Sequence, residues 1–185
     1  MAMLLETKRL ILRKWRLEDA PSMFLYASNP DVGPKAGWPP HQSVKDSETI
    51  ISHFLDHHPY AFAICLKEDI EHPIGTVELK VGRTDLVSMD DEAEIGYWLG
   101  KPFWGNGYMK EAGEALIEYG FDQLGFSRIW AGYYEGNLQS KRVQEKIGFV
   151  YHHQSDHLYV HEMDEYRTGH VTLLTKERFQ TLHHR

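Results

Sequence analysis

Apolar and polar positions alternate along this chain with two different periods, and each change of period marks an element. Residues 5–15 open with Leu10 and Leu12 alternating with Arg9 and Arg13, which predicts a strand with one face on a core. Leu17-Glu18-Asp19-Ala20-Pro21 reads as a helix start, with acids and a proline in the first turn. Residues 29–34, Asn-Pro-Asp-Val-Gly-Pro, end that helix and begin a loop reaching Pro40. Residues 43–57 suit a second helix with Val44, Ile50, Ile51, Phe54 and Leu55 as its buried stripe. Two strands are expected over 60–67 and 73–81, joined by the turn-forming residues 68–73. In the second of them Val77, Leu79 and Val81 oppose Glu78 and Lys80. A polar loop over 82–91 precedes another alternating run over 92–99.

The strongest periodicity follows. Met109, Ala112, Gly113, Leu116, Ile117, Gly120, Phe121 and Leu124 recur at three- and four-residue steps, with Lys110, Glu111, Glu114, Glu118 and Asp122 on the opposite, wet side. Residues 128–135 are strand-like, residues 138–147 a short helix, and Gly148 is suited to a left-handed stop. Two more strands are expected near 150–153 and 166–174. Helices before, between and after hairpin-linked strands predict an α/β (α+β) fold, a mainly antiparallel sheet flanked by helices. With no repeat, low-complexity tract or linker, a single domain over 1–185 is expected.

Composition narrows the function classes. The chain has 20 Lys+Arg against 27 Asp+Glu, a formal charge of −7, with 42% apolar and 25% charged residues, so it can build a core. A single cysteine, Cys65, excludes an internal disulfide framework and a multi-cysteine metal site. No segment approaches the ~18 consecutive apolar residues of a membrane helix, and the first residues lack the apolar run of a signal peptide. A cytoplasmic setting, as monomer or homodimer, is expected. An acidic balance without a basic tract argues against nucleic acid as a partner.

The segment that carries chemistry runs from Glu94 through Gly96-Tyr97-Trp98-Leu99 and Trp104-Gly105-Asn106-Gly107-Tyr108 into the long helix. A strand ends, a glycine turn follows, and a helix begins. The first N–H groups of a helix have no intrahelical partner, and its dipole adds partial positive charge there. Gly105 and Gly107 remove side chains at that point, so a diphosphate can come close. The plain alternative is a tight turn that needs glycine for its dihedrals alone. The loop is no Walker A sequence, having no Gly-Lys-Ser/Thr. Nor is it a dinucleotide fingerprint, because Lys110 stands where a third glycine is needed.

These motifs resemble a known family. With Glu111-Ala112 and the run from Asn137 through Ser140, Lys141, Arg142, Gln144 and Lys146 to Phe149, they are similar to the GCN5-related N-acetyltransferases. Within them the likeness is to the branch that acetylates the α-amines of ribosomal proteins, whose first strand is similar to residues 5–13 here. The resemblance spans roughly residues 5–175. One departure stands out: Pro102 occupies a position where the family's loop usually carries Gln or Arg, and proline has no N–H to donate.

The resemblance implies acetyl-CoA as donor, a V-shaped splay between the strands at 94–99 and 128–135, and no metal. The N–H groups of Gly105, Asn106, Gly107, Tyr108 and Met109 would hold the diphosphate, beside Trp104. Backbone at Tyr97, Trp98 and Leu99 would pair with the pantetheine arm as an added strand. Asn137 would bind the arm from the other side, although asparagine there also suits a helix N-cap. Lys101, Lys110, Lys141, Arg142 and Lys146 are candidates to balance the phosphate charge, or solvated surface cations. An ammonium acceptor must lose a proton before it attacks the thioester, and the departing thiolate needs a donor. Glu94 is the candidate base with Glu92 behind it and Glu78 third, the alternative being ordinary exposure. Ser140 is the candidate thiolate donor, or simply part of the first helical turn; residues 138–147 contain no tyrosine for that task. Cys65 is expected to be a buried structural thiol. His53 with His57, and His152, His153, Asp156, His157 and His161, lack fixed ligand spacing and read as solvated or acceptor-lining groups that charge in mild acid.

The expected reaction is acetyl transfer to a primary amine, foremost a protein or peptide N-terminus. A small amine such as a polyamine or aminoglycoside is the alternative acceptor, and a non-catalytic acyl-CoA-binding module the alternative class. Acceptor contacts are expected from residues 29–42 and 152–167.

Overall fold

The computed structural model describes residues 4–183. Eight strands form one sheet in the order β1-β2-β3-β4-β5-β6-β8-β7. They are β1 (Leu4–Glu6), β2 (Leu10–Lys14), β3 (Ala61–Leu66), β4 (Gly75–Lys80), β5 (Glu92–Leu99), β6 (Arg128–Tyr134), β7 (Val150–Val160) and β8 (Glu165–Thr175). The helices are α1 (Ala20–Ala27), α2 (Gly33–Ala36), α3 (Val44–His57), α4 (Tyr108–Asp122), α5 (Leu138–Ile147) and α6 (Lys176–His183). Every neighbouring pair is antiparallel except β5 with β6. This is the mainly antiparallel α/β arrangement expected from the chain's periodicity.

The parallel pair is short, and that places the site. Pairing runs from Glu92 opposite Arg128 to Ile95 opposite Ala131. Beyond it β5 continues against β4, with Tyr97 opposite Val77 and Leu99 opposite Gly75. β6 continues against β8, with Gly132 opposite Val171. Two neighbouring strands thus part company in mid-sheet and leave a V.

Helix α4 covers one face of the sheet near the apex of that V. Its buried stripe of Met109, Ala112, Gly113, Leu116, Ile117, Gly120 and Phe121 is the period read from the sequence. Glycine serves close approach here: a Cβ on Gly120 would stand 2.8 Å from Leu79 Cδ1, and one on Gly113 3.0 Å from Ile147 Cδ1. The other face carries α1 and α3 over Trp15, Met23, Ile51, Ala63 and Cys65. Ser43 caps α3, accepting from Asp46 N at 3.3 Å while Asp46 accepts from Ser43 N at 3.1 Å. Among the described residues no helix is long and apolar enough to cross a membrane.

Several expectations need correction. Residues 5–15 form a hairpin of two strands, because the Thr7 hydroxyl closes a turn by accepting from Leu10 N at 2.9 Å. On α3 the buried line is Ser47 and Ile51 flanked by partly covered Val44 and Phe54, a three-four-three spacing facing α1. Ile50 and Leu55 lie beside that line and are 36% and 49% exposed. The loop after α1 holds the short helix α2. β7 is 11 residues long, and α6, absent from the sequence expectation, anchors Phe179 against Phe121 with ring centroids 5.6 Å apart.

Candidate active site

The V opens into a cleft of about 2000 Å³. Its walls are β5 beyond Glu94, β6 from Trp130, the start of α4, α5, the segment around α2, and the β7–β8 hairpin. Residues from both expected acceptor segments line it, including Trp38, His41, Tyr159 and Glu162.

At one end lies the glycine turn. Lys101–Phe103 make one 3-10 turn, which the fixed backbone of Pro102 suits. Gly105 and Gly107 then take φ of +79° and +78°, in the left-handed region. A Cβ on Gly105 would meet nothing within 4 Å, and one on Gly107 only Arg9 Nη2 at 3.6 Å. Handedness therefore favours glycine here, and the space above the turn is open. Tyr108 starts α4 with no side-chain cap on its first N–H groups. The turn is braced from behind. Arg9 Nη1 donates to Asn106 O at 3.0 Å, Arg9 Nε to Glu111 Oε2 at 2.7 Å, and Thr7 Oγ1 to Glu111 Oε1 at 2.6 Å. The Arg9 guanidinium also lies 4.4 Å over the Tyr108 ring. Burial pushes the Glu111 carboxyl up, but the Thr7 and Arg9 hydrogen bonds outweigh it and hold the group below its ordinary range.

The other expected coenzyme contacts divide. The Asn106 amide donates back to Phe103 O and Trp104 O at 3.1 and 3.2 Å, so its side chain belongs to the turn. Trp104 lines the cleft, its Nε1 donating to Leu99 O at 2.7 Å and its ring under Lys35 Nζ at 4.7 Å. Tyr97, Trp98, Leu99, Gly105, Gly107, Tyr108 and Met109 all line the cleft. So do Lys110, Arg142 and Lys146. Lys101 instead pairs with Asp31, and Lys141 lies 3.9 Å from Glu145.

Inside the V, β5 and α5 meet through hydroxyls. Tyr97 OH and Ser140 Oγ are 2.7 Å apart, and Gln144 Nε2 lies 3.1 Å from Tyr97 OH and 3.2 Å from Ser140 Oγ. Burial raises the Tyr97 pKa, with Ser140 and Gln144 pulling it partly back, so the phenol stays protonated. Sequence reasoning assigned Tyr97 only its backbone. The period-two pattern does aim Tyr97 away from Trp98, but its partner sits 43 residues on. Asn137 caps α5, accepting from Ser140 N at 3.2 Å, while its amide donates to Lys35 O at 3.1 Å. Both plain structural tasks of Asn137 are therefore filled at a position that also lines the cleft.

Acids gather on the α3 face of the sheet. Lys80 Nζ stands 3.3 Å from Glu94 Oε1 and 3.9 Å from Glu78 Oε1. Burial lowers the Lys80 pKa, but the two carboxylates more than offset that and keep it raised, so it is an ammonium. Glu94, Glu78 and Lys80 all face the cleft. Glu92 does not line it: it is 3% exposed, held by Arg128 Nη1 at 3.2 Å and Trp130 Nε1 at 3.1 Å. Trp38 and Trp98 meet edge to face at 5.7 Å across the same region. Thr76, 2% exposed on the cleft side of β4, has no partner for its hydroxyl among the described residues.

Cys65 is buried, and burial pushes its thiol up to about 11, which makes it inert. Among the described residues no group of three His, Cys, Asp or Glu side chains is placed to hold a metal. His53 and His58 are nevertheless in contact, Nε2 to Nε2 at 3.2 Å, and His58 Nδ1 reaches Glu78 Oε2 at 2.8 Å. Sequence reasoning gave His58 no role.

Residues 9–150 match the family model for the acetyltransferase (GNAT) domain. The chain is 35% identical over 149 residues to the uncharacterized N-acetyltransferase p20 of Bacillus licheniformis, covering 78% of this chain and 81% of that protein. Its fold is similar to the ribosomal-protein-S5-alanine acetyltransferase of Vibrio fischeri, with TM-score 0.72, 22% identity and coverage of 96% and 98%. It is also similar to RimJ of Mycobacterium smegmatis, a structure holding CoA-disulfide, with TM-score 0.75, 20% identity and coverage of 95% and 87%.

Proposed function

The chain belongs to the GNAT acetyltransferase family, and from that premise we propose that it acetylates the α-amine of a protein or peptide N-terminus, using acetyl-CoA. The observation that carries this reading is the coincidence of three features in one cleft. They are a parallel pair that parts after Ile95 and Ala131, an uncapped helix start behind two left-handed glycines, and an acidic patch on the far face.

The residues present fit the coenzyme. Amides at 105–109 offer donors to a diphosphate, and Arg142 and Lys146 add positive charge at the same opening. The free edge of β5 at Tyr97 and Trp98 suits an amide-bearing arm laid beside it as an extra strand. Asn137 stands across the cleft from that edge as a further contact. The coenzyme supplies a thioester, and every other step falls to the chain. Glu94 takes the proton that the acceptor ammonium must lose; Glu92, enclosed by Arg128 and Trp130, is left with a structural part. Ser140, hydrogen-bonded to Tyr97 OH, donates toward the sulfur as negative charge develops there.

The N-terminal-amine acceptor is supported by the likeness to the ribosomal-protein acetyltransferase fold and by a cleft open enough to admit a chain end. The acidic and aromatic acceptor side, with Glu78, Glu94, Trp38 and Trp98, also favours a second reading, a small cationic amine. A thiol-release assay with acetyl-CoA across a panel of peptides and small amines separates the two. Peptide turnover with no small amine active supports the first reading, the reverse supports the second, and CoA binding without turnover on any acceptor refutes both.

A further inference from the structure

We propose that Glu78, His58 and His53 form a proton exit from the acceptor side of the cleft to solvent. The proposal rests on the acetyltransferase reading, and it concerns a step that reading leaves open. Acetylating an ammonium with a thioester yields an amide, a thiol and one proton. The nitrogen loses two protons, the sulfur gains one, and the other must leave a partly enclosed cleft at every turnover.

Glu78 is built to start such a path. Its two carboxylate oxygens face different neighbours. Oε1 lies over Gly96, where a Cβ would come within 3.1 Å of it, so glycine keeps that oxygen open to the splay. Oε2 is 2.8 Å from His58 Nδ1. His58 Nε2 is in turn 3.2 Å from His53 Nε2, and the His53 and His57 rings lie 4.9 Å apart on α3. Exposure rises along the line: the side chain of Glu78 is 11% exposed, that of His58 26%, and His53 is exposed. A buried carboxylate, a half-buried imidazole and an exposed imidazole in series connect the cleft to bulk water.

The two charged groups nearest Glu78 in the cleft are poor outlets. Lys80 is an ammonium and has no lone pair to accept with. Glu94 has that same Lys80 as its neighbour. The charged and titratable groups around Glu78 are Lys80 on its own strand, Glu94 on β5, and Tyr134 on β6, close enough to feel both. From the α3 side His58 contacts it, with His53 against His58 and His57 against His53.

The transfer is proton movement alone. Glu78 bonds the proton released by the acceptor, directly or from Glu94, and becomes a neutral carboxyl. A half-turn about Cγ–Cδ carries that O–H from the cleft side to the position beside His58 Nδ1. With His58 in the tautomer that carries its proton on Nε2, the O–H breaks as Nδ1–H forms, His58 Nε2–H passes to the unprotonated Nε2 of His53, and His53 gives up its Nδ1 proton to water. Solvent exchange restores the starting tautomers. His58 and His53 are positioning residues, since they act through Glu78.

The test uses His58→Gln, which keeps a donor for Glu78 but cannot relay. With acetyl-CoA and an acceptor that the wild type turns over, kcat in dilute non-transferring buffer should fall about tenfold or more, with CoA affinity by calorimetry unchanged. Added imidazole should restore part of the rate, an effect no purely structural loss shows. His53→Ala should lose less, because water reaches its position. Wild-type kcat in His58→Gln, or a loss that imidazole fails to rescue, overturns the proposal. A chain that acetylates nothing refutes the function reading instead. In that case the relay is judged by histidine NMR of the free protein, where Glu78→Gln must shift the His58 Nδ1 resonance, and an unmoved resonance overturns it.

Discussion

Replacing Gly107 by asparagine separates a phosphate cradle from a mere turn. Asparagine tolerates φ near +78°, the value this residue holds. Its Cβ has room, since the nearest atom is Arg9 Nη2 at 3.6 Å, so the fold should survive with a loss of about 1 kcal/mol or less. Its side chain, however, adds bulk and a competing amide at a turn whose following N–H groups have no side-chain cap. One charge-assisted hydrogen bond lost to a diphosphate is worth about 1.5–3 kcal/mol, roughly ten- to hundredfold in Kd. The control is Gly125→Asn: φ there is +75°, a Cβ meets nothing within 4 Å, and the residue lies outside the cleft lining. Calorimetry with CoA and thermal melts on both variants give the answer. Similar melting losses with weakened CoA binding in the Gly107 variant alone are expected. CoA binding at wild-type strength in Gly107→Asn would refute the cradle and return these glycines to the role of a tight turn.

Ser140→Ala should lower kcat roughly ten- to hundredfold with little change in Tm, because Gln144 Nε2 still reaches Tyr97 OH and Gly132 O; full kcat, where chemistry limits turnover, removes Ser140 from the mechanism. Asn137→Ala should raise the KM for acetyl-CoA and cost about 1 kcal/mol through the lost cap, whereas Asn137→Asp should restore the cap but not KM; an unchanged KM in both variants leaves only the cap. Burial holds the His41 imidazole below its ordinary 6.5, against a partial pull upward from Asp46. A folded value below the unfolded one gives stability that is complete above about 6.5 and lost as pH falls from there through the lower folded value, so Tm should drop on acidification. His41→Gln should flatten that drop, and parallel curves would refute the assignment.

What the sequence made legible follows from how local each signal is. The α4 stripe and the Gly148 stop of α5, with φ of +116°, are written within one or two turns of chain. The glycine turn is equally local, because positive φ is a property of single residues. The V is not local. It exists because β5 turns to β4 and β6 to β8 past Ile95 and Ala131, and only the likeness to a family indicated it. β7 was half missed because its outward face alternates polar with polar: His152, Gln154 and Asp156 are exposed, and so are His153 and His157. Register shifts at 151–153 and 155–158 blur the period further. Glu78 with His58, 20 residues apart, and Tyr97 with Ser140, 43 apart, are pairs that only the packing of a helix or helix end against a strand creates.

A parted pair of strands needs something to replace the bonds it gives up, and the replacement explains why α5 is part of the site. Once β6 leaves β5, the carbonyl of Gly132 would face the cleft without a ladder partner. Gln144 Nε2 donates to it at 3.0 Å, and Gln144 Oε1 accepts from Thr172 Oγ1 on β8 at 2.8 Å. Gln144 is 0% exposed, so each of these groups left unpaired would cost about 1–3 kcal/mol. The same amide lies against Tyr97 OH and Ser140 Oγ from the β5 side. One buried side chain thus holds the lips of the V at a fixed distance and aims the hydroxyls into the gap between them. The splay is a built opening rather than a frayed edge. A ligand arm entering it meets hydrogen-bonding groups already oriented before it arrives, which lowers the ordering cost of binding and of any charge that develops there.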